Sequence, residues 1–297
     1  MGPEEHRPPD GRVHRRSGDG WVDCSCGDEH WGLNGAAGLL VWRREAGRVR
    51  VVLQHRALWS HHGGTWGLPG GALGDGEFAV DGAVREAVEE AGVVPGALRV
   101  RADRTLAHPQ WSYTTVLAEA VEPFTPRVSD AESLGVAWVD LAEITALPLL
   151  PAFGAALPEL TAMARRLVLV VDAANVVGSR PDGWWSDRAG ATARLRDHLV
   201  GLAAAGLPAT VLGLPGARWY PEVVLVTEGA ARGVPPADGV RVVDAPGGGD
   251  DAVVAAVAGL TGDPGTVVAV ATADRELADR VRRAGAVAVV GPRLVRH

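Results

Sequence analysis

The chain has 297 residues, 47% of them hydrophobic and 22% charged. This composition describes a globular protein with room for two ordinary domains, each able to bury a core. A net charge of −7 excludes a general basic footprint for nucleic acid, although a local basic patch is compatible with it. Residues 1–20 are polar and charged with Pro and Gly throughout, unlike a secretory signal, and no apolar run is long enough to span a bilayer. The expectation is a cytoplasmic protein without a membrane partner, opening with a disordered tail over residues 1–20.

Cys24, Cys26 and His30 follow within seven residues. Two cysteines are too few for a disulfide framework, and one intervening residue makes a mutual bridge awkward. Two soft ligands and an imidazole suit zinc, but the usual Cys-x₂-Cys spacing is absent. His61, His62 and His108 are candidates for a fourth ligand. The alternative is a pair of reduced cysteines in a surface turn, which the incomplete ligand count favours.

Residues 35–43 and 48–56 read as strands joined by a Glu-Ala-Gly turn. A glycine-rich segment leads to Leu68-Pro69-Gly70-Gly71, a turn whose backbone can approach a ligand closely. Val80, Ala83, Val84, Ala87, Val88 and Ala91 then recur at helical spacing, and Gly92 stands where a C-terminal cap belongs. Glu86, Glu89 and Glu90 sit at i, i+3 and i+4, so three carboxylates share one face and repel by roughly 0.2–0.5 kcal/mol per pair. A hard divalent cation such as Mg²⁺ would remove that conflict and bridge carboxylates to phosphates. Residues 98–107 and 111–121 read as further strands, with a late strand at Gly135–Val139. Helical patterns over 141–150 and 153–165 close this half.

From Arg166 the pattern changes. Leu167–Val171, ending in Asp172, is a continuous apolar run of the kind found in buried parallel strands. A helix over 187–205, strands at 223–226, 240–243 and 266–271, and helices after Gly249 and Asp274 alternate down to a last strand at 286–290. Such alternation implies a parallel sheet with helices on both faces, binding ligands beyond the carboxyl ends of its strands. Asp172, Asp250, Asp251 and Asp274 stand at or near such ends; Asp is also a common helix N-cap.

Gly71, Glu77, Arg85, Glu86, Ala87, Glu89, Glu90, Gly92 and Val93 match every fixed position of the Nudix box, so the first half resembles Nudix hydrolases. The Gly64-Thr65-Trp66-Gly67-Leu68-Pro69-Gly70-Gly71 approach, after a strand ending in Arg56, is closest to the MutT-type branch. The resemblance implies an α/β/α sandwich with a mixed sheet over 21–163, and Mg²⁺- or Mn²⁺-dependent hydrolysis of a nucleoside diphosphate derivative. It implies metal coordination by the Gly70 carbonyl, Glu86, Glu89 and Glu90, with Glu132, or Asp130 beside it, as a further ligand. It implies that Arg85 orients the glutamates by pairing with Glu77, and that Glu86 or Glu90 takes a proton from water. Arg56 and Trp66 are candidates for substrate contact, with packing the plainer reading of Trp66. The MutT-type asparagine that reads guanine has no counterpart in Leu147–Phe153, which puts 8-oxoguanine recognition in doubt.

The second half, residues 166–297, resembles NYN domains of the PIN-like nuclease fold through Asp172-Ala-Ala-Asn175, Asp250-Asp251 and Thr272-Ala-Asp274. That resemblance implies a metal-dependent ribonuclease with Asp172, Asp251 and Asp274 as ligands, Asp250 in the same acidic pair, and Asn175 positioning one of them or the phosphate. Glu228 and Asp187 are candidates for a further acid. Arg180, Arg194, Arg275 and the Arg280–Arg283 cluster are candidates for an RNA entrance. A competing reading makes the first half a nucleotide sensor for an RNA-binding or RNA-cleaving second half.

Overall fold

The computed structural model describes residues 17–181 and 183–296. It divides into two compact units, one through Ala164 and one from Arg165. Most of the expected tail lies outside the described residues. Residues 17–20 are instead tied down: Leu33 N–H donates to the Gly18 carbonyl and Gly32 N–H to the Gly20 carbonyl, each at 2.8 Å, and Asp75 N–H donates to Ser17 Oγ at 3.2 Å.

The first unit opens with a short antiparallel hairpin, β1 (Trp21–Asp23) and β2 (Glu29–Trp31), in which Trp21 faces Trp31. Strands β3 (Ala36–Glu45) and β4 (Arg48–Arg56) follow, joined through Ala46 and Gly47 at φ 49° and 79°. Two positive φ values in succession define the turn whose twist matches a tight hairpin. Next come β5 (Trp66–Gly67), β6 (Gly70–Ala72), α1 (Ala79–Ala91), β7 (Leu98–Ala107), β8 (Ser112–Ala120), β9 (Ser133–Asp140) and α2 (Pro151–Met163). Strands run in the order β7-β8-β3-β4-β5, with β6 on β3 and β9 on β4. Only β3 and β8 pair in parallel among these, so the sheet is mixed. Ala83, Ala87 and Ala91 bring α1 close against Ala37, Leu39, Val41 and Val52. Gly92, at φ 59°, ends the helix in the left-handed conformation and donates to the Val88 carbonyl.

Residues 141–150 depart from the expected helix. A single 3₁₀ turn at Ile144–Ala146 is followed by extended chain that bonds Trp66, its N–H reaching the Pro148 carbonyl at 2.7 Å and its carbonyl receiving Leu150 N–H at 2.8 Å. Pro148 and Pro151 account for this: each disfavours helix in the residue before it, while Pro151 itself suits the first position of α2.

The second unit contains β10 (Arg166–Asp172), α3 (Ala173–Gly178), α4 (Arg188–Ala205), β11 (Leu207–Pro208), α5 (Ala209–Leu212), β12 (Arg218–Trp219), β13 (Glu222–Thr227), β14 (Val240–Asp244), α6 (Gly249–Thr261), β15 (Thr266–Ala271), α7 (Arg275–Arg283), β16 (Ala288–Val290) and α8 (Pro292–Val295). Five strands form a wholly parallel sheet in the order β14-β13-β10-β15-β16. β10 lies at its centre, which explains its unbroken apolar run. Val253, Val257, Leu277 and Val281 of α6 and α7 pack with Val168, Val224, Val268 and Val270 of the sheet. Among the described residues no helix is long and apolar enough to cross a membrane.

Candidate active site

Two adjacent glycines determine how α1 meets the strand before it. A Cβ on Gly70 would lie 2.5 Å from the Ala37 carbonyl oxygen and 2.6 Å from Gly38 Cα, so only glycine lets β6 lie this close to β3. A Cβ on Gly71 would lie 2.8 Å from the carboxyl carbon of Glu86, so its absence leaves room for that side chain. Gly70 N–H donates to Glu90 Oε2 at 2.8 Å, and Glu90 is only 5% exposed. Arg85 braces the rest. Its Nε and Nη2 form a fork onto Glu77 at 2.7 and 2.8 Å, Nη2 also reaches the Ala72 carbonyl, and Nη1 donates to Glu86 and lies 3.6 Å from Glu89. Glu77 is held in turn by Gly74 N–H at 2.8 Å. The expected Arg85–Glu77 pair is therefore present, and one guanidinium links three of the four glutamates on or beside α1.

Glu90 is the glutamate outside that link. Burial, then the neighbouring Glu86 charge, holds its carboxyl well above the usual range, against the Gly70 hydrogen bond; Asp130 and Glu132 add to the rise. Asp130 accepts from Glu132 N–H and Ser133 Oγ, both at 3.1 Å. Burial raises the Glu132 carboxyl, Asp130 adds to it, and Arg56 opposes it. Both loop acids thus share the field of the α1 carboxylates. Tyr113 belongs to the same field although nothing in its local sequence marks it: burial and Glu90 push its hydroxyl up to about 12.

Beside these groups lies a cavity of about 420 Å³ lined by Gly70, Gly71, Arg56, Tyr113, Trp31 and Trp111 among others, without an Asn or Gln side chain. Arg56 stands in the lining, its Nε donating to the His61 carbonyl at 3.2 Å. Trp66 is not in the lining. It stacks on His55, ring centroids 4.8 Å apart and planes 5° apart, and its backbone bonds the Pro148–Leu150 segment, so it packs instead of offering a face to a base.

On the same unit, Cys24, Cys26, His30 and His108 place their ligand atoms within 4.8 Å of one another. Of the three histidines considered for a fourth position, His108 joins the group, whereas His61 rests against Trp21 and His62. Cys24 is buried and Cys26 exposed in a turn, so the surface-turn reading fits Cys26 and not Cys24.

The family model for the NUDIX domain matches residues 32–161. A Mycobacterium tuberculosis protein whose name proposes an 8-oxo-dGTP diphosphatase is 48% identical over 148 residues, 48% of this chain and 68% of that protein. The chain belongs to the Nudix hydrolase family. A nucleoside triphosphate pyrophosphatase/Nudix hydrolase fusion protein of Bifidobacterium longum is 46% identical over 165 residues, covering 52% of this chain. The chain spans only 34% of that relative's length. The crystal structure of a Nudix hydrolase from M. smegmatis, RenU, shares 43% identity with a TM-score of 0.45, covering 48% of this chain and 93% of that one. The Nudix hydrolases are enzymes acting on phosphorus-containing acid anhydrides.

Outside the Nudix domain, the second unit gathers acids at the carboxyl edge of its sheet. Asp172 ends β10, accepts Asn175 N–H at 3.1 Å and Thr272 Oγ at 3.1 Å, and has its carboxyl raised by burial and, less, by Asp250 and Glu228. Asn175 Oδ1 receives Ala273 N–H at 2.7 Å, so this amide ties α3 to the segment after β15. Asp274 caps α7 through Leu277 N–H at 2.9 Å, and Glu228 accepts Gly249 N–H at 2.6 Å. Asp250 is raised by burial, then by Asp274, with Glu228 also contributing. Asp251, its side chain 83% exposed, pairs with Arg280, and Asp250 beside it is exposed too. Asp187 caps α4 through Gly190 N–H. The arginines proposed for an entrance are partly neutralised within the unit, Arg280 by Asp251, Arg282 by Asp279 and Arg194 by Asp187.

Proposed function

We propose that the Nudix domain hydrolyses the pyrophosphate bond of a nucleoside diphosphate derivative with Mg²⁺ or Mn²⁺. The observation that carries this is the unequal treatment of the α1 acids. One guanidinium serves Glu77, Glu86 and Glu89, while Glu90 is buried beside Glu86 with its ionisation displaced upward. Such an all-oxygen set suits a hard divalent cation, with Glu86, Glu89, Glu90, the Gly70 carbonyl and Glu132 as its holders and Asp130 beside them. When bound, the cation supplies charge neutralisation for the diphosphate and activation of a water. Glu86 or Glu90 accepts the water's proton as it attacks phosphorus. Arg85 holds Glu86 in place, and Arg56 in the cavity wall offers its guanidinium to phosphate oxygens.

The base of the nucleotide stacks on the aromatic wall of the cavity, where Trp21, Trp31 and Trp111 stand. The relatives' names bring nucleoside triphosphates and 8-oxo-dGTP to this chain as candidates. A cavity without a carboxamide cannot form a paired amide contact to guanine, which favours nucleoside diphosphate conjugates such as ADP-ribose over 8-oxo-dGTP. The test is a screen of the full chain with Mg²⁺ against nucleoside triphosphates, 8-oxo-dGTP, ADP-ribose, dinucleoside polyphosphates and NADH. Turnover that Glu90→Gln lowers by at least ~10²-fold is expected. Inertness toward all of them, or undiminished turnover in the variant, would sink the reading.

For the second unit we propose a metal-dependent ribonuclease of NYN type on a PIN-like fold. The convergence of Asp172, Asp250, Asp274 and Glu228 in one electrostatic field at the carboxyl edge of a parallel sheet supports it.

A further inference from the structure

The β1–β2 hairpin presents a physical problem. Each of its strands has three residues, and an isolated two-stranded hairpin is marginal even when longer. Yet Trp21 and Trp31, 46% and 40% exposed, are both held in the cavity wall. Something must fasten this hairpin besides its own ladder.

The side chains that meet there come from two places about 80 residues apart. Cys24 and Cys26 lie in the link between β1 and β2, His30 lies in β2, and His108 follows β7. Cys26 Sγ is 3.2 Å from His30 Nε2. The His30 and His108 ring centroids are 4.3 Å apart, and His30 stacks on Trp111 at 4.4 Å with 9° between planes. A tetrahedral zinc, with Zn–S about 2.3 Å and Zn–N about 2.0–2.1 Å, places its ligand atoms roughly 3.3–3.8 Å apart. The four atoms, already within 4.8 Å of one another, need only a small inward movement to reach that arrangement.

We propose that Cys24, Cys26, His30 and His108 form a closed structural zinc site that clasps the β1–β2 hairpin to the link between β7 and β8. Four protein ligands leave no open position for water, which distinguishes such a site from a catalytic one. Binding displaces the two thiol protons; the Cys24 thiol then leaves its 3.2 Å contact with Gln110 Oε1. The clasp adds to polar contacts across the same gap, from Ser25 N–H to Gln110 Oε1 at 2.9 Å and from Trp111 Nε1–H to the Trp31 carbonyl at 3.1 Å. Zinc binding here does not depend on the pyrophosphate reaction proposed above.

The experiment uses the full chain purified under reducing conditions without chelator, with zinc measured by elemental mass spectrometry. One zinc per chain is expected. After removal of zinc, cobalt should give thiolate-to-cobalt charge-transfer bands, which the all-oxygen site on α1 cannot produce. Cys26→Ser and His108→Ala should lose zinc and these bands, and Glu90→Gln should keep both. Stripping the metal should also change the tryptophan fluorescence, since Trp31 and Trp111 adjoin the site. A reduced wild-type chain that holds no zinc and gives no thiolate–cobalt band overturns the proposal, whatever the variants do. Full zinc retention in His108→Ala overturns the four-ligand site.

Discussion

Gly70 and Gly71 are adjacent, yet adding one methyl group to each should have opposite consequences. In Gly71→Ala the new Cβ would stand 2.8 Å from Glu86 Cδ and 2.9 Å from its Oε1, where ordinary contact begins at 3.4 Å. The obstacle is the end of a side chain, so the fold survives while the carboxylate moves by about half an ångström. Displacements near 1 Å cost about 100-fold in rate, so about tenfold in kcat is expected from half that. In Gly70→Ala the obstacles are the Ala37 carbonyl oxygen at 2.5 Å and Gly38 Cα at 2.6 Å, both fixed backbone atoms of β3. Relief requires β6 to leave β3, at a cost of about 1–3 kcal/mol. That lowers Tm by roughly 2–4 °C for each kcal/mol in a domain of this size. Differential scanning calorimetry and steady-state hydrolysis with Mg²⁺ on the best substrate of the screen separate the two effects. A well-folded Gly71→Ala with wild-type kcat would refute the placement of Glu86 in the catalytic set. A loss of Tm as large as that in Gly70→Ala would refute the steric argument.

Glu90→Gln should raise metal-free stability at neutral pH while abolishing turnover. Burial and Glu86 raise this carboxyl, so the folded chain holds the proton more tightly than the unfolded chain, and metal-free stability falls as pH climbs from the ordinary carboxylate range through the raised value. Thermal melts across pH in chelator should show that decline in wild type and a flatter curve in the variant; identical curves would contradict the assignment. Arg85→Lys keeps the charge but loses the fork onto Glu77 and the Ala72 carbonyl, so kcat should fall on the order of tenfold with KM little changed. Asp172→Asn should remove Mn²⁺-dependent cleavage of labelled RNA and spare nucleotide hydrolysis, with unchanged cleavage counting against the second site. Asp250→Asn should abolish the same cleavage while changing stability by no more than about 0.5 kcal/mol, and a larger loss in urea melts would make it a structural residue.

The long periodic elements were legible in the sequence because their own side chains decide them. The apolar face of α1 and the unbroken run of β10 each meet a single large surface, and each spacing states which. Elements created by their partners were not legible. β5 and β6 have two and three residues and exist because β4 and β3 accept them, too short for any period to show. Over 141–150, Leu and Ala suggested a helix, and two prolines with backbone bonds to Trp66 made extended chain instead. His108 could be only one of three candidates, because which histidine returns to Cys24 and Cys26 is settled by pairing between β7 and β8 far along the chain. The burial of Glu90 was hidden for a similar reason. A glutamate on an acidic helix face reads as exposed until β6 is seen to cover it.

The acids of the second unit show how far capping accounts for a cluster of this kind. Asp172 gives Oδ1 to Asn175 N–H and Asp274 gives Oδ1 to Leu277 N–H, as N-caps do. Glu228 answers an N–H at the start of α6. Capping would explain all three without a ligand. It does not explain Asp250, because Gly248 holds the cap position of α6. Asp250, exposed like its neighbour Asp251, nevertheless has its carboxyl raised by desolvation, Asp274 and Glu228, with Arg280 opposing the rise. An acid with Asp274 and Glu228 in its field is a cost that a cap does not repay and a divalent cation would. Asp250, more than the better-bonded Asp172, is therefore the residue on which the metal reading of this sheet edge depends.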